Sequence, residues 1–276
     1  SLGAIYALIA LGYTMVYGIA KMLNFAHGDV IMVGAYTVFT FLSFTNPILA
    51  IIASIILSTV MGIVIEKLAY KPLRTASPLA VLITAIGVSF FLQSIAQLIF
   101  GARSQPISLV TFENIEIGNL KINVGTIITL VIGAILMTAL TLFVKYTRTG
   151  RAMVAVSEDK GAAMLMGINV NKIIMITFAI GSALAAAASI FYLIQIPAVD
   201  PLLGSMPGIK AFTAAVIGGI GSIPGAMIGG ILLGVVEKIC LSIEGLREYT
   251  TAIEFTILII ILLVKPIGIL GKKRRE

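Results

Sequence analysis

The stretch VGTIITLVIGAILMTALTLFV, residues 124–144, contains no charged side chain and decides the class of fold. A helix needs roughly 20 apolar residues to cross the hydrocarbon core of a bilayer, because each residue rises only about 1.5 Å. This segment is long enough to cross on its own, and it predicts a transmembrane helix. Similar apolar stretches recur from one end of the chain to the other.

The composition agrees with a membrane protein. Of 276 residues, 59% are hydrophobic and only 11% are charged, and the mean hydropathy is +1.11. Ordinary soluble domains carry about 25% charged residues, so a soluble fold of this composition could not cover its own surface. In lipid every backbone polar group needs an internal partner, which predicts an all-α polytopic bundle of transmembrane helices.

Nine apolar segments predict one transmembrane domain over residues 1–276 with about eight or nine spans. Several of them are shorter than the ~20 residues that a crossing needs. The doubtful crossings are 30–44, 209–220 and 226–239, which we expect to be tilted, broken or re-entrant where they line a cavity. The predicted segments are 2–20, 30–44, 48–65, 79–100, 124–144, 173–194, 209–220, 226–239 and 250–264.

Positive charge is confined to a few connections, which predicts the orientation. Basic residues cluster at 66–78, at 145–172 and in the tail at 265–275, while the opposite connections carry little net positive charge. By the positive-inside rule these three regions face the cytoplasm. Connections that alternate between the two sides of the membrane in this way require residues 209–239 to form a hairpin. The net charge of +7 therefore does not indicate a nucleic-acid partner, and a basic tail is also what a solvated terminus would carry.

The connection 145–172 is patterned like two short helices. Residues 149–156 form the first piece; Ser157 can cap a second helix that starts at Glu158, with Asp159 in its first turn near the positive end of the helix dipole. The apolar residues 162–166 continue this helix, and Gly167 fits a C-terminal cap. Exposed Met and Leu side chains suit a groove on a partner protein. A helix lying flat on the membrane surface is the alternative interpretation.

Polar residues also separate the first two apolar segments. Asn24, His27 and Asp29 lie between them, where polar groups are costly in hydrocarbon and usually face a bundle interior or a watery cavity. Two interpretations are open for this run. It is either a helix break that shapes or gates a pathway, or a hydrogen-bonded turn at the membrane boundary.

A second polar group recurs within one apolar segment. Ser89, Gln93 and Gln97 are spaced four residues apart, which places them on one face of the helix predicted over 79–100. They line a translocation pathway in one interpretation and form hydrogen bonds across helices in the other.

The region 209–239 is rich in glycine, with small-x-x-x-small spacings that let helix backbones approach closely. A proline there favours a break. Packing between helices is one interpretation, and a moving element at a helix interface is the other. The residues concerned are Gly218, Gly219, Gly221, Pro224, Gly225, Gly229 and Gly230.

Charged residues inside the apolar segments need partners. Glu237 and Lys238 follow the glycine-rich stretch, and Glu254 lies inside the last predicted span, where a buried charge is expensive unless it is paired. Lys210 is a candidate partner for these carboxylates.

Nothing in the chain predicts catalysis or a cofactor. No G-x-x-x-x-G-K-[ST] phosphate loop is present, so ATP binding by this chain is not expected. The single cysteine, Cys240, cannot form an internal disulfide, and with a single histidine the chain has no residues for a Cys- or His-built metal site.

Several stretches together resemble the permease subunits of branched-chain amino acid ABC transporters, particularly the high-affinity H-type subunit. They follow one another in order along the whole chain, so the resemblance is global. The family's short N-terminal lead-in is missing, and we expect the natural N-terminus to lie upstream of Ser1. The stretches are AIYALIALGYTMVYG at 4–18, NFAHGD at 24–29, YKPLR at 70–74, TGRAM at 149–153, SED at 157–159, LMGIN at 165–169, KAFTAAV at 210–216 and GGIGSIPGAMIGG at 218–230.

The resemblance implies the fold of a type II ABC importer permease and a set of partners. An extracytoplasmic amino-acid-binding protein would deliver Leu, Ile or Val to the cytoplasmic membrane. A second, related permease would pair with this chain, and two cytoplasmic ATPases would drive transport. The chain itself would be a non-catalytic transport subunit.

The resemblance also implies that an Ala-Ala-x-x-x-Gly pattern docks on the ATPase. Here the pattern starts at Ala162, and the Glu that usually opens it is replaced by Gly161, while Glu158 lies one turn earlier. This departure puts the role of any single acidic residue in doubt. The docking residues implied are Arg151, Ser157, Glu158, Asp159, Ala162, Ala163, Leu165, Gly167 and Ile168.

Other functions remain as alternatives. Urea or short-amide importers have similar permeases, so the cargo could differ. A secondary transporter or channel would act without ATPases; many secondary transporters show repeated halves, and no clear repeat is visible here. A purely structural membrane protein does not account for the patterned connection 145–172.

Overall fold

The computed structural model describes residues 1–110, 112, 114–117 and 120–271. The basic residues 272–275 of the predicted cytoplasmic tail lie outside this part of the chain. The helices are α1 (Leu2–Ala20), α2 (His27–Leu42), α3 (Pro47–Ile65, continued by a π turn, Glu66–Tyr70), α4 (Pro78–Phe100), α5 (Val124–Tyr146), α6 (Arg148–Glu158), α7 (Lys160–Leu165), α8 (Val170–Gln195), α9 (Ser205–Gly218), α10 (Ile223–Ser242) and α11 (Thr250–Val264), with a short 3-10 turn at Arg247–Tyr249.

Strands are few and short. β1 (Gln105–Pro106) pairs antiparallel with β4 (Ala198–Val199), which places Gln105 opposite Val199. β2 (Asn114–Ile117) and β3 (Leu120–Asn123) form an antiparallel hairpin directly before α5. The prediction of an all-α bundle is therefore confirmed, with two small two-stranded sheets in the connections.

Within the described residues, six helices are long and apolar enough to cross a membrane: α1, α3 with its π turn, α4, α5, α8 and α10. The other apolar helices, α2, α9 and α11, have 16, 14 and 15 residues and fall short of the ~20 that a full crossing needs. The predicted total of eight or nine spans is not established by these lengths. The expectation of short segments agrees with α2 and α9. It is wrong for 226–239, because α10 continues beyond both ends of that segment and has 20 residues.

Helix α1 is the centre of the bundle. It packs against α8, α9 and α10. Its side chains are almost all apolar, and most of them are buried against other helices. Its contact with α10 is a backbone contact, because a Cβ at Gly230 would lie only 2.4 Å from the Cα of Ala7. Small residues thus replace the side-chain interdigitation of an ordinary helix pair.

Helix α2 begins inside the bundle rather than at its edge. The chain leaves α1 at Lys21, whose φ of 61° marks a left-handed turn, and folds back through residues 21–26. His27, the first residue of α2, packs against Tyr13, two turns before the end of α1. The break predicted between the first two segments is therefore present, and it is re-entrant.

Helices α9 and α10 form the expected antiparallel hairpin. The connection is tight, and Gly219 and Gly221 in it adopt φ values of 107° and 94°. Residues with a side chain would be strained in this backbone conformation. Pro224 lies next to a break between helices, because α9 ends at Gly218 and α10 begins at Ile223. It lies in the first turn of α10, where its missing N–H has no helical partner to lose.

The two ends of the bundle are distinguishable by their connections. Helices α6 and α7 lie at one end, which we call the α7 end, where Lys160 Nζ donates a 2.9 Å hydrogen bond to the carbonyl of Ala20 at the end of α1. The β2–β3 hairpin lies at the other end, which we call the hairpin end, because α5 runs from it to α6.

The backbone contact between α1 and α10 generates a prediction. Gly230→Ala should destabilise the protein by about 1–3 kcal/mol, since the added methyl group meets backbone that cannot rotate away. Gly87→Ala in α4 is the matched control, because no atom lies within 4 Å of its Cβ position. Thermal unfolding in detergent should show a lower midpoint for the first variant only; equal midpoints would contradict a close α1–α10 contact.

Candidate functional site

A polar cluster joins three helices within the bundle. Gln93 Nε2 of α4 lies 2.8 Å from Asp29 Oδ1 of α2, 3.1 Å from Ser89 Oγ and 3.2 Å from Ser205 Oγ at the start of α9. Asp29 is 2% exposed and Gln93 is 8% exposed. The structure therefore brings together three of the predicted pathway residues and adds a fourth, Ser205.

Gln93 ties α4 to the rest of the bundle. Helix α4 contacts chiefly α2 and the π turn after α3, and large side chains such as Phe90, Phe91 and Leu98 are exposed on it. Its buried residues are few, so one amide with partners on two other helices is a substantial part of its attachment. The interpretation that this polar face forms hydrogen bonds across helices is therefore confirmed for Gln93.

The remaining predicted pathway residues lie elsewhere. Gln97 is exposed and does not join the cluster. Asn24 accepts a 2.9 Å hydrogen bond from the hydroxyl of the buried Tyr70 and so anchors the re-entrant segment to the end of α3. The ring of His27 is hydrogen-bonded to the backbone of Ile9 and meets Tyr13 edge-on, with centroids 4.7 Å apart.

An open apolar face of α9 runs past the cluster. Leu202, just before α9, and Met206 and Ile209 within it are 54%, 46% and 42% exposed. Toward the α7 end, Phe212 and Ile220 on the same segment line a small cavity of about 10 Å³, together with Tyr13, Tyr17 and Asn24. Helix α9 therefore contributes Ser205 to the polar cluster and Phe212 to this cavity.

Sequence reasoning missed Ser205 as a site residue. It starts α9 four residues earlier than the predicted segment at 209–220, in a stretch of small and polar residues that gives no periodic signal. Its role depends on the position of α4, which is more than a hundred residues away along the chain.

A buried charge cluster holds the last three helices together. Lys210 Nζ of α9 lies 2.7 Å from Glu237 Oε1 of α10 and 3.2 Å from Glu254 Oε2 of α11. Its ammonium also lies 6.0 Å from the ring centroid of Tyr6 in α1. The partner suggested by the sequence is thus in place, and it serves two carboxylates. Glu254 is one of only two buried residues of α11 among those described, so this contact positions that helix.

Helices α6 and α7 realise the patterned connection with a different cap. The prediction that Ser157 caps the second helix is wrong: Ser157 lies in the last turn of α6 and donates its hydroxyl to the carbonyl of Val154. Asp159 is the cap, because its carboxylate accepts hydrogen bonds of 2.7 and 3.0 Å from the N–H groups of Gly161 and Ala162. A carboxylate at this position is favoured by the helix dipole.

Helix α7 exposes apolar side chains. Met164, Leu165 and Met166 are 60%, 91% and 82% exposed, whereas Ala163 is buried against the bundle. Gly167 ends the helix with a φ of 79°, in agreement with the predicted C-terminal cap. Of the other predicted docking residues, Arg151, Glu158 and Ala162 are exposed, and Ile168 is half-buried.

The base of α7 is fixed by basic residues. Lys160 reaches the end of α1, while Arg74 pairs with Glu66 and with Asn171 at the start of α8. Burial lowers the pKa of Lys160, and the positive charge of Arg74 lowers it further. Arg74, Lys160 and Asn171 line an open groove of about 500 Å³ together with Met164.

The glycines singled out in the sequence all serve close packing or turns in this structure. Added side chains at Gly218, Gly225 and Gly229 would strike backbone of the α9–α10 hairpin. Among the described residues, no group of three or more His, Cys, Asp or Glu side chains could hold a metal ion.

Comparison with known proteins identifies the family. Residues 1–262 match the model of the family described as branched-chain amino acid transport system, permease component. The chain belongs to this family. It is 44% identical, over its whole length and 94% of the relative, to a high-affinity branched-chain amino acid transport system permease protein of Pseudomonas aeruginosa. Permease proteins with the same description from Salmonella typhimurium and Escherichia coli are 42% and 41% identical, each with 94% of its length covered. No match was found among solved structures.

The family match and the apolar helices together make this chain a multi-pass membrane protein. Its relatives are transport permease subunits, and nothing in the described residues indicates an enzymatic activity.

The charge cluster generates a prediction. Lys210→Met should cost about 3–5 kcal/mol of stability, because it leaves two buried carboxylates without their cation. The triple variant Lys210→Met, Glu237→Gln, Glu254→Gln removes the charges together and should recover most of that loss. Thermal unfolding of the detergent-solubilised variants tests both; a Lys210→Met variant as stable as the wild type would contradict the pairing.

Proposed function

We propose that this chain is the membrane-spanning permease subunit of an ABC importer for Leu, Ile and Val, located in the cytoplasmic membrane. Support comes from the family match over residues 1–262 and from relatives more than 40% identical along the whole chain. Those relatives are named as branched-chain amino acid permeases, which favours this cargo over urea or a short amide. ATP hydrolysis belongs to separate subunits.

The observation that carries the proposal is the exposed apolar surface of α7. Leu165 is 91% exposed on a helix that is anchored at its base to α1 and α8. A leucine so placed loses no apolar contacts when a partner covers it and gains the free energy of burial. Two cytoplasmic ATPases are the partners that this surface fits, each docking through residues 151–168 of one permease.

Orientation follows from charge. Lys67 lies in the π turn at the α7 end, and Lys71 and Arg74 follow it. Lys145 lies in the last turn of α5, and Arg148 is the first residue of α6. By the positive-inside rule this end faces the cytoplasm. The hairpin end then faces the extracytoplasmic binding protein that delivers the amino acid.

A second, related permease would complete the pathway. The open face of α9 and the exposed face of α4 meet at the polar cluster, and in a single chain this surface is uncovered. Facing a second copy of the same architecture, it would enclose a path bounded by Asp29, Ser89 and Gln93 and leading to Asn24. In this arrangement α2 and α9, which begin within the bundle, act as broken spans.

Motion of the ATPases would reach the pathway through α7. Lys160 links the first turn of α7 to the end of α1, and the re-entrant segment with Asn24 follows directly. A displacement of α7 would therefore be transmitted to the α7-end mouth of the pathway. Helices α9 and α10 would slide past each other during such a movement, along their glycine-lined contact.

Leucine uptake tests the proposed function. Cells carrying this permease with its neighbouring transport subunits should take up radiolabelled leucine only when the ATPases are intact. ATPase-dependent uptake of urea or an amide in place of leucine would support the ABC importer mechanism but contradict the proposed substrate. Uptake that is indifferent to the ATPases would overturn the mechanism.

The docking surface generates a further prediction. The double variant Leu165→Ser, Met166→Ser should weaken ATPase binding about tenfold or more, since it removes the exposed apolar anchors. Leu246→Ser is the matched control, because Leu246 is 37% exposed beyond α10 at the hairpin end. Co-purification of the ATPases with each variant measures the effect; undiminished recovery with the double variant would exclude α7 as the docking element.

A further inference from the structure

The described chain buries four acidic side chains, and they are not equivalent. Glu66 pairs with Arg74, while Glu237 and Glu254 share Lys210. Asp29, 2% exposed, is the remaining one, and no Lys or Arg pairs with it among the described residues. Its side-chain partners are neutral, namely the amide of Gln93 and the hydroxyl of Ser89.

A buried carboxylate without a cation is expensive in a membrane bundle. Asp29 lies in the first turn of α2, where the positive end of the helix dipole stabilises a carboxylate. The dipole offsets only part of the cost, because it amounts to about half of an elementary charge. Of the three other buried acids, Glu66 has its own cationic partner, and Glu237 and Glu254 share one. The missing positive charge at Asp29 therefore fits one that arrives with a ligand.

The neighbours of Asp29 are suited to a small polar ligand group. Gln93 Nε2 has two hydrogens but lies within 3.2 Å of three acceptors, namely Asp29 Oδ1, Ser89 Oγ and Ser205 Oγ. At least one serine hydroxyl is thus free of that amide. The hydroxyl can accept a hydrogen bond from an incoming ammonium group, which has three to donate.

The surroundings suit an apolar side chain attached to that group. Met206 and Ile209 are exposed on α9 within a turn of Ser205. An aliphatic side chain lying there would be removed from water, while its ammonium group faces Asp29. Such a combination matches an α-amino acid with an aliphatic side chain.

We propose that Asp29 receives the α-ammonium group of the transported amino acid, with Ser89, Gln93 and Ser205 completing the hydrogen bonds. This inference rests on the proposed function and adds a substrate-contacting residue to it. The apolar face at Met206 and Ile209 holds the aliphatic side chain. Recognition at this point requires the ammonium group and tolerates changes at the carboxyl group.

Protection of a reporter cysteine tests the contact in the assembled transporter. The natural thiol is first removed as Cys240→Ser, and Met206→Cys supplies a single reporter whose reaction with a charged methanethiosulfonate reagent is timed. Leucine and leucinol, which both carry the ammonium group, should slow labelling, whereas 4-methylpentanoate, which lacks it, should not. Equal protection by 4-methylpentanoate, or none by leucine, would overturn the proposal.

Substitution of Asp29 supplies the second arm. Asp29→Asn keeps the acceptor for Gln93 and removes only the charge, so it should abolish leucine protection and lower leucine imported per ATP hydrolysed about tenfold or more. Asp29→Glu should restore part of both. A defect of folding would instead lower ATP hydrolysis and import together. Glu244→Gln, at an exposed acid in the loop after α10, should change neither readout.

The two hypotheses fail differently. If the wild-type complex imports leucine with ATP but Asp29→Asn does so with unchanged coupling, the ammonium contact is wrong and the permease function stands. If the wild-type complex shows no ATPase-dependent uptake, the proposed function itself fails.

Discussion

The close approach of α1 to α10 is the contact on which the rest of the bundle depends. Glycine at position 230 lets two backbones meet, and α8 and α9 then pack around the same central helix. In lipid there is no hydrophobic drive between apolar helices, so close contact of this kind supplies the specificity that side-chain burial supplies in water. With α1 held at the centre, its end becomes the point where the re-entrant segment begins and where α7 is attached through Lys160.

The buried polar groups divide into two kinds with different consequences. The cluster around Lys210 is charge-paired and joins α9, α10 and α11, which gives it a structural effect. The cluster around Asp29 lacks a cation among the described residues and borders an open apolar face. Because burial of an ion is costly wherever it occurs, the difference in pairing separates a group that stabilises the fold from one that is suited to a ligand.

The α6–α7 connection combines a rigid base with an uncovered surface. Asp159 caps α7, Ala163 packs inward and Lys160 reaches α1, so the short helix has a defined position without a partner. Its outward residues remain exposed although they are apolar. A short helix of this kind is marginal in isolation, and its contacts with α1 and α8 hold it in place.

Sequence pattern alone predicts the membrane class, the helical fold, the approximate positions of the long helices and the patterned connection at 145–172, because these depend on runs of apolar residues and on local turn chemistry. It also predicted the break near Asn24 and the hairpin at 209–239. It failed on the cap of α7, where Ser157 and Asp159 are both good cap residues and only the path of α6 decides between them. Only the tertiary structure could show that Ser205 joins Asp29 and Gln93, that Gln97 does not, and that Lys210 serves two carboxylates. Those groupings depend on which helices are neighbours, and uniformly apolar helices carry little information about their neighbours in their own periodicity.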